Sequence, residues 1–77
     1  MDKYLLVAPE EFMGIVMSHL ISLGAQIIKL RKSEKLKNGI YFCEVIFTCP
    51  KINEFKTKLS ELTNGKGSIE LFGNGTE

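Results

Sequence analysis

Tryptophan is absent from these 77 residues, histidine occurs only as His19 and arginine only as Arg31, and there are two prolines and two cysteines. Each scarcity excludes something. Cys43 and Cys49 are too few and too close for the disulfide framework of a small secreted domain, so reduced thiols and a cytoplasmic location are expected. They do not form Cys-x-x-Cys, and one histidine cannot complete a zinc site with them. No window approaches the roughly 18 continuous apolar residues of a membrane span. Met1-Asp2-Lys3-Tyr4 leads at once into a strand-like run, so no signal peptide is expected. Repeats, linkers and low-complexity tracts are also missing. What is present is ordinary for a globular piece, 44% hydrophobic and 25% charged with a net charge of +1. That suits one domain near the lower size limit for folding without staples, and argues against general binding to polyanions.

Six elements follow from periodicity and punctuation. Lys3 to Ala8 reads as a buried strand. Pro9 suits a first helical position, with Glu10 and Glu11 favoured by the dipole of the first turn. Phe12, Met13, Val16, Met17, Leu20 and Leu23 make one apolar helix face, which Gly24 ends. Ala25 to Lys32 is a second strand, Ser33 to Asn38 a polar connection and Asn38-Gly39 a turn. From Gly39 to Thr48, Tyr41, Cys43, Val45 and Phe47 alternate onto one face, with Ile40, Phe42, Glu44 and Ile46 on the other. Ile52, Phe55, Leu59 and Leu62 mark a second helix after Pro50, and Ser68 to Phe72 a last strand. The order β-α-β-β-α-β predicts an α+β, ferredoxin-like sandwich, with two helices on one face of a four-stranded antiparallel sheet. Residues 73–77 are expected to fray.

No catalytic, cofactor or metal site emerges. Glu10 and Glu11 diverge by about 100° on a helix, so they do not pair on one substrate. His19, at the border of the apolar face near Phe12 and Ile15, reads as structural. Gly65-Lys66-Gly67 and Gly73-Asn74-Gly75 lack the spacing and strand-to-helix setting of a phosphate loop.

Binding candidates are more open. Lys29, Arg31, Lys32, Lys35 and Lys37 stand against Glu34 alone between residues 29 and 37. They read equally as phosphate contacts or as lysines that blunt an edge strand. Thr63-Asn64-Gly65-Lys66-Gly67-Ser68 reads as backbone geometry at a helix end, or as a turn that aims Lys66 at a polyanion. Ile40, Phe42 and Ile46 are expected on the sheet face without helices, where another domain, a second copy or stacked bases could dock. Gly14, Ser18 and Ser22 form a small-residue stripe, either a solvent face or a place of close approach.

Pro9-Glu10-Glu11-Phe12-Met13-Gly14, Gly24-Ala25-Gln26-Ile27, Ile52-Asn53-Glu54-Phe55 and Thr63-Asn64-Gly65-Lys66-Gly67 recur in an order and spacing that resemble a known family. It is the C-terminal domain of the elongation factor G family of translational GTPases, over roughly residues 3 to 72, with the tetracycline ribosomal-protection branch the more similar subgroup. The resemblance implies a C-terminal piece of a larger multi-domain protein of translation or antibiotic resistance. It implies GTP and Mg bound by a domain outside this chain, and no cofactor within it. The implied partners are large-subunit rRNA, ribosomal protein and other domains of the same polypeptide, with no membrane. Lys29, Arg31, Lys32, Lys35, Lys37 and Lys66 would then meet the ribosome.

The same element order also fits other classes. A stand-alone RNA-recognition module needs aromatics at set positions on the central strands, for which Tyr4, Tyr41 and Phe42 offer material but Asn38-Gly39-Ile40-Tyr41-Phe42 fits poorly. A small-molecule regulatory domain would place its ligand at an interface between copies. An acylphosphatase-like enzyme would need an arginine near the first loop, and Arg31 lies elsewhere.

Overall fold

The computed structural model describes residues 1–73, apart from the side chains of Glu34, Lys35 and Lys37. In chain order the elements are β1 (Lys3–Pro9), a single 3-10 turn (Glu10–Phe12), α1 (Met13–Ser22), β2 (Gln26–Lys37), β3 (Ile40–Thr48), α2 (Ile52–Leu62) and β4 (Ser68–Gly73). The strands form one antiparallel sheet in the order β2-β3-β1-β4. With both helices on one face, this is the α+β, ferredoxin-like arrangement that the sequence predicts.

Register decides which residues meet the helices. Tyr4 lies opposite Phe47, Leu6 opposite Val45 and Ala8 opposite Cys43, while Leu6 also faces Ile69 on β4. Opposed residues share a face; Tyr41, at the hairpin end of β3, is exposed, while Cys43, Val45 and Phe47 point into the core. They meet Met13, Val16 and Leu20 from α1 and Phe55 and Leu59 from α2. Phe47 and Phe55 pack edge to face with ring centroids 5.8 Å apart, the favoured geometry for opposed aromatic quadrupoles. Burying each such side chain contributes about 1.5–3 kcal/mol, so this layer carries most of the stability.

Two local expectations change. Pro9 closes β1 with extended backbone (φ −57°, ψ 144°), and the α-helix begins only at Met13. β2 does not end at Lys32 but continues to Lys37, because Leu36 and Lys37 pair with Tyr41 and Ile40. A polar stretch shows no apolar alternation, yet its backbone pairs once the turn brings it beside β3. Asn38 and Gly39 both have positive φ, 54° and 77°, as a two-residue hairpin turn matching strand twist requires. Between the pairs Lys32–Cys43 and Leu36–Tyr41, residues 33 to 35 oppose Phe42 alone, so β2 bulges there. Gly73 pairs with Lys3; the rest of the tail expected to fray, residues 74–77, lies outside the described residues.

Candidate functional site

The face of the sheet without helices carries several open depressions. One, of about 580 Å³, is lined by Val7, Ser33, Leu36, Phe42, Glu44, Lys66 and Ser68. A neighbouring one of about 420 Å³ shares Phe42 and Lys66 and adds Asn38 and Ile40. Across Glu44 lies a third of about 290 Å³, lined by Leu5, Lys29, Arg31, Ile46 and Phe72. β1 and β3 make the floor, the bulged end of β2 one wall, and the α2–β4 turn the rim that carries Lys66. Ile40, Phe42 and Ile46 lie on this face, each half-buried.

The Lys66 turn is built rigidly. Thr63, fully buried at the end of α2, donates its hydroxyl to Leu59 O at 2.8 Å and accepts from the Gly67 N–H at 3.0 Å. The Gly65 N–H reaches back to Ser60 O at 2.8 Å and the Lys66 N–H to Thr63 O at 3.0 Å. A Cβ on Gly67 would stand 2.9 Å from Thr63 Oγ1 and Cγ2, so glycine is required by close approach. Backbone geometry therefore explains the threonine and glycines of this motif. It leaves the Lys66 side chain exposed, with no ion-pair partner among the described residues.

The basic segment divides between the two sheet faces, since neighbouring strand residues point opposite ways. Lys29 and Arg31 share the open face with Ile46 and Glu44. The Glu44 Oε1 accepts from Arg31 Nε at 3.2 Å and from its Nη2 at 2.5 Å. Lys32 turns to the other face, 3.0 Å from Glu10 Oε2 and with its ammonium 4.5 Å from the Tyr41 ring centroid. The Glu10 carboxylate holds the Lys32 ammonium above its ordinary pKa, by hydrogen bond first and by charge second. Two members of the segment are thus already neutralised, and the side chains of Lys35 and Lys37 lie outside the described residues. Lys29 and Lys66, on the open face, have no ion pair among the described residues.

His19 packs against α2. Its ring stacks on Phe55 at 6.0 Å, and Nε2 is buried without a hydrogen-bond partner. Cys43 and Cys49 are buried free thiols; burial pushes Cys43 up, and the Glu10 charge adds to that. Among the described residues, no three His, Cys, Asp or Glu side chains gather as a metal site, and no helix is long and apolar enough to cross a membrane.

Gly14, Ser18 and Ser22 lie on the outer side of α1, exposed. Beside them are residues that sequence reasoning missed, Ile15 and Ile21, which are 55% and 63% exposed. Ile28 and Leu30 continue exposed apolar surface along the β2 edge. A signal for this surface was available: Phe12 to Ile28 contains no Asp, Glu, Lys or Arg.

No protein-family model matches the chain, and no curated protein matches it in sequence. Solved structures do match its fold. A formyltetrahydrofolate deformylase from Pseudomonas putida KT2440 superposes with a TM-score of 0.67 at 19% identity, over 94% of this chain and 29% of that one. The crystal structure of a hypothetical protein gives 0.61 at 20% identity, over 99% of this chain and 34% of that one. This chain thus spans about a third of the length of those chains or less, and at such identity the likeness shows the fold alone. The resemblance to the elongation factor G family is overturned by these findings, and with it the ribosome-docking function and the keywords of translation and tetracycline resistance. Nothing here supports a GTPase parent. The physical reason is that the motifs behind the resemblance serve the backbone. Pro9 closes a strand, Glu10 pairs with Lys32, and Thr63 to Gly67 make a tight helix-to-strand turn that any fold of this topology can use.

Proposed function

We propose that this chain is a non-catalytic, ACT-like regulatory domain, a module that binds a small molecule and passes its occupancy to an enzyme domain beside it. The observation that carries the reading is the fold match, in which nearly the whole of this chain corresponds to under a third of a metabolic enzyme's chain. The side chains agree with it. The only histidine has its Nε2 buried without a hydrogen-bond partner, and the open face has a ligand-sized depression. The uncharged outer side of α1 is the surface proposed to meet the regulated domain, because the fold neighbours are chains about three times longer, with further structure for such a domain to touch.

The test is thermal unfolding of the 77-residue chain with a panel of amino acids, 2-oxo acids, reduced folates and nucleotides, and with single-stranded RNA. A binder at about a hundred times its Kd stabilises by about 2.7 kcal/mol, a shift of several degrees for a domain this small. One small-molecule class is expected to give that shift. If only RNA raises the melting temperature, the chain is an RNA-binding module of the same topology and the regulatory reading falls.

A further inference from the structure

The regulatory reading leaves open where a ligand sits and what it is. We infer that the open-face depression under the β2 bulge is a binding site for a small amphipathic monocarboxylate, with Lys66 taking the carboxylate and Phe42 and Val7 the apolar body. This rests on the reading of the chain as a small-molecule-responsive domain and names its site.

Three features lead there. The first is size and continuity: the depressions of about 580 and 420 Å³ share Phe42 and Lys66, so one ligand can lie along the Phe42 ring and still reach the ammonium. Ligand sites commonly span about 300–1,000 Å³. The second is the pre-organised turn that carries the cation. The Thr63–Gly67 hydrogen bond and the close packing of Gly67 fix the turn that presents Lys66, which lowers the ordering cost of binding. Ser68, the strand residue just beyond, also lines the depression and supplies a hydroxyl donor.

The third is charge balance, which selects the ligand class. Among the described residues, Lys66 is the single cation lining either depression. Glu44 stands at the far side of the larger one, already held by Arg31. A phosphate or polyanion would set its additional negative charge close to the Glu44 carboxylate. A single carboxylate matches Lys66, and the half-buried Val7 and Phe42 with exposed Leu36 suit hydrocarbon better than water. A polynucleotide fits less well, since Lys32 is engaged by Glu10 and Arg31 by Glu44.

The test uses the full chain, titrated with 3-phenylpropionate as the probe and 3-phenylpropionamide as its uncharged match, followed by calorimetry and backbone amide NMR. Saturable 1:1 binding is expected, with shifts concentrated at Val7, Phe42, Lys66 and Ser68. Lys66→Gln should weaken the carboxylate about fivefold, as a partly solvated charge contact allows, and leave the amide unchanged. Ser68→Ala is the second variant, expected to weaken the carboxylate by less. Shifts clustered on α1 or the β2 edge, an equal loss for acid and amide in Lys66→Gln, or no saturable binding would each overturn the site. The two proposals fail separately. A metabolite that stabilises wild type and Lys66→Gln equally leaves the regulatory reading standing and sinks this site. Probe binding that depends on Lys66, in a chain that no metabolite stabilises, supports the site and sinks the regulatory role.

Discussion

The two helices lie on the same sheet face and do the same work inward, yet their outer sides differ. α2 turns Phe55 and Leu59 to the core and shows water Asn53, Glu54, Lys56, Thr57, Lys58, Ser60 and Glu61. Lys58 and Glu61 even pair along that surface at 3.6 Å. α1 buries Met13, Val16 and Leu20, but its exposed positions are Gly14, Ile15, Ser18, Ile21 and Ser22, none of them charged. A helix that only needed to fold this sheet would look like α2. α1 has a second surface for which water is a poor match, and that asymmetry separates what the fold requires from what an interaction requires.

The largest effect should come from the inner sides, where the helices are equivalent. Leu20→Ala in α1 and Leu59→Ala in α2 should each cost about 2–5 kcal/mol, by lost burial and a residual cavity. Urea unfolding followed by circular dichroism measures both. A cost under about 1 kcal/mol for either would mean that its helix is not part of the cooperative core. This inward symmetry was legible in the sequence. Apolar residues recur at helical spacing in both segments, and β3 alternates so cleanly that its register follows from period two alone.

The outer asymmetry was less legible, for a physical reason. Ile15 and Ile21 are as apolar as Val16 and Leu20, and periodicity cannot tell a core stripe from a second apolar stripe around the same helix. Only the missing charge from Phe12 to Ile28 marks it. The β2 extension was hidden in the opposite way, since Ser33 to Lys37 has strand backbone without strand-like side chains, and its partner strand holds it. The depressions of the open face depend on that bulge and on the Lys66 turn, so they could not be read before the hairpin was placed. The motifs that resembled a translation factor were real, but Thr63 and Gly67 are explained by each other's contact and say little about partners.

Replacing both Ile15 and Ile21 with lysine should change stability by no more than about 0.5 kcal/mol each, as for other exposed positions. What should change is association. The wild-type chain at high concentration and high salt is expected to scatter light as its α1 surfaces meet, and the double variant to stay monomeric. A matched pair on α2, Thr57→Lys and Ser60→Lys, should leave the wild-type behaviour unchanged. If both pairs suppress association alike, the effect is net charge, and the contrast between the helices has no meaning for docking.

The smallest effect concerns alkaline pH, on the side of the sheet where Glu10, at the entry to α1, meets β2 and β3. Cys43 is buried and its thiol is raised above the ordinary value of 9.0, by burial first and by Glu10 second. Above that pH the unfolded chain releases the proton while the folded chain keeps it. The folded state therefore binds more protons, and stability must fall as pH rises from 9.0 toward the folded value. The slope for one thiol is at most about 1.4 kcal/mol per pH unit. Lys32, raised above 10.5 by Glu10, works in the same direction but later: its contribution is intact below 10.5 and is lost as pH climbs through its folded value. Urea midpoints between about pH 8 and about pH 11.5, one unit below the first of these ordinary values and one above the second, should thus decline in two stages. Cys43→Ala should remove the first stage and Glu10→Gln should weaken the second. Parallel decline in wild type and Cys43→Ala would show that the buried thiol is not the source, and that the alkaline response belongs to the exposed lysines instead.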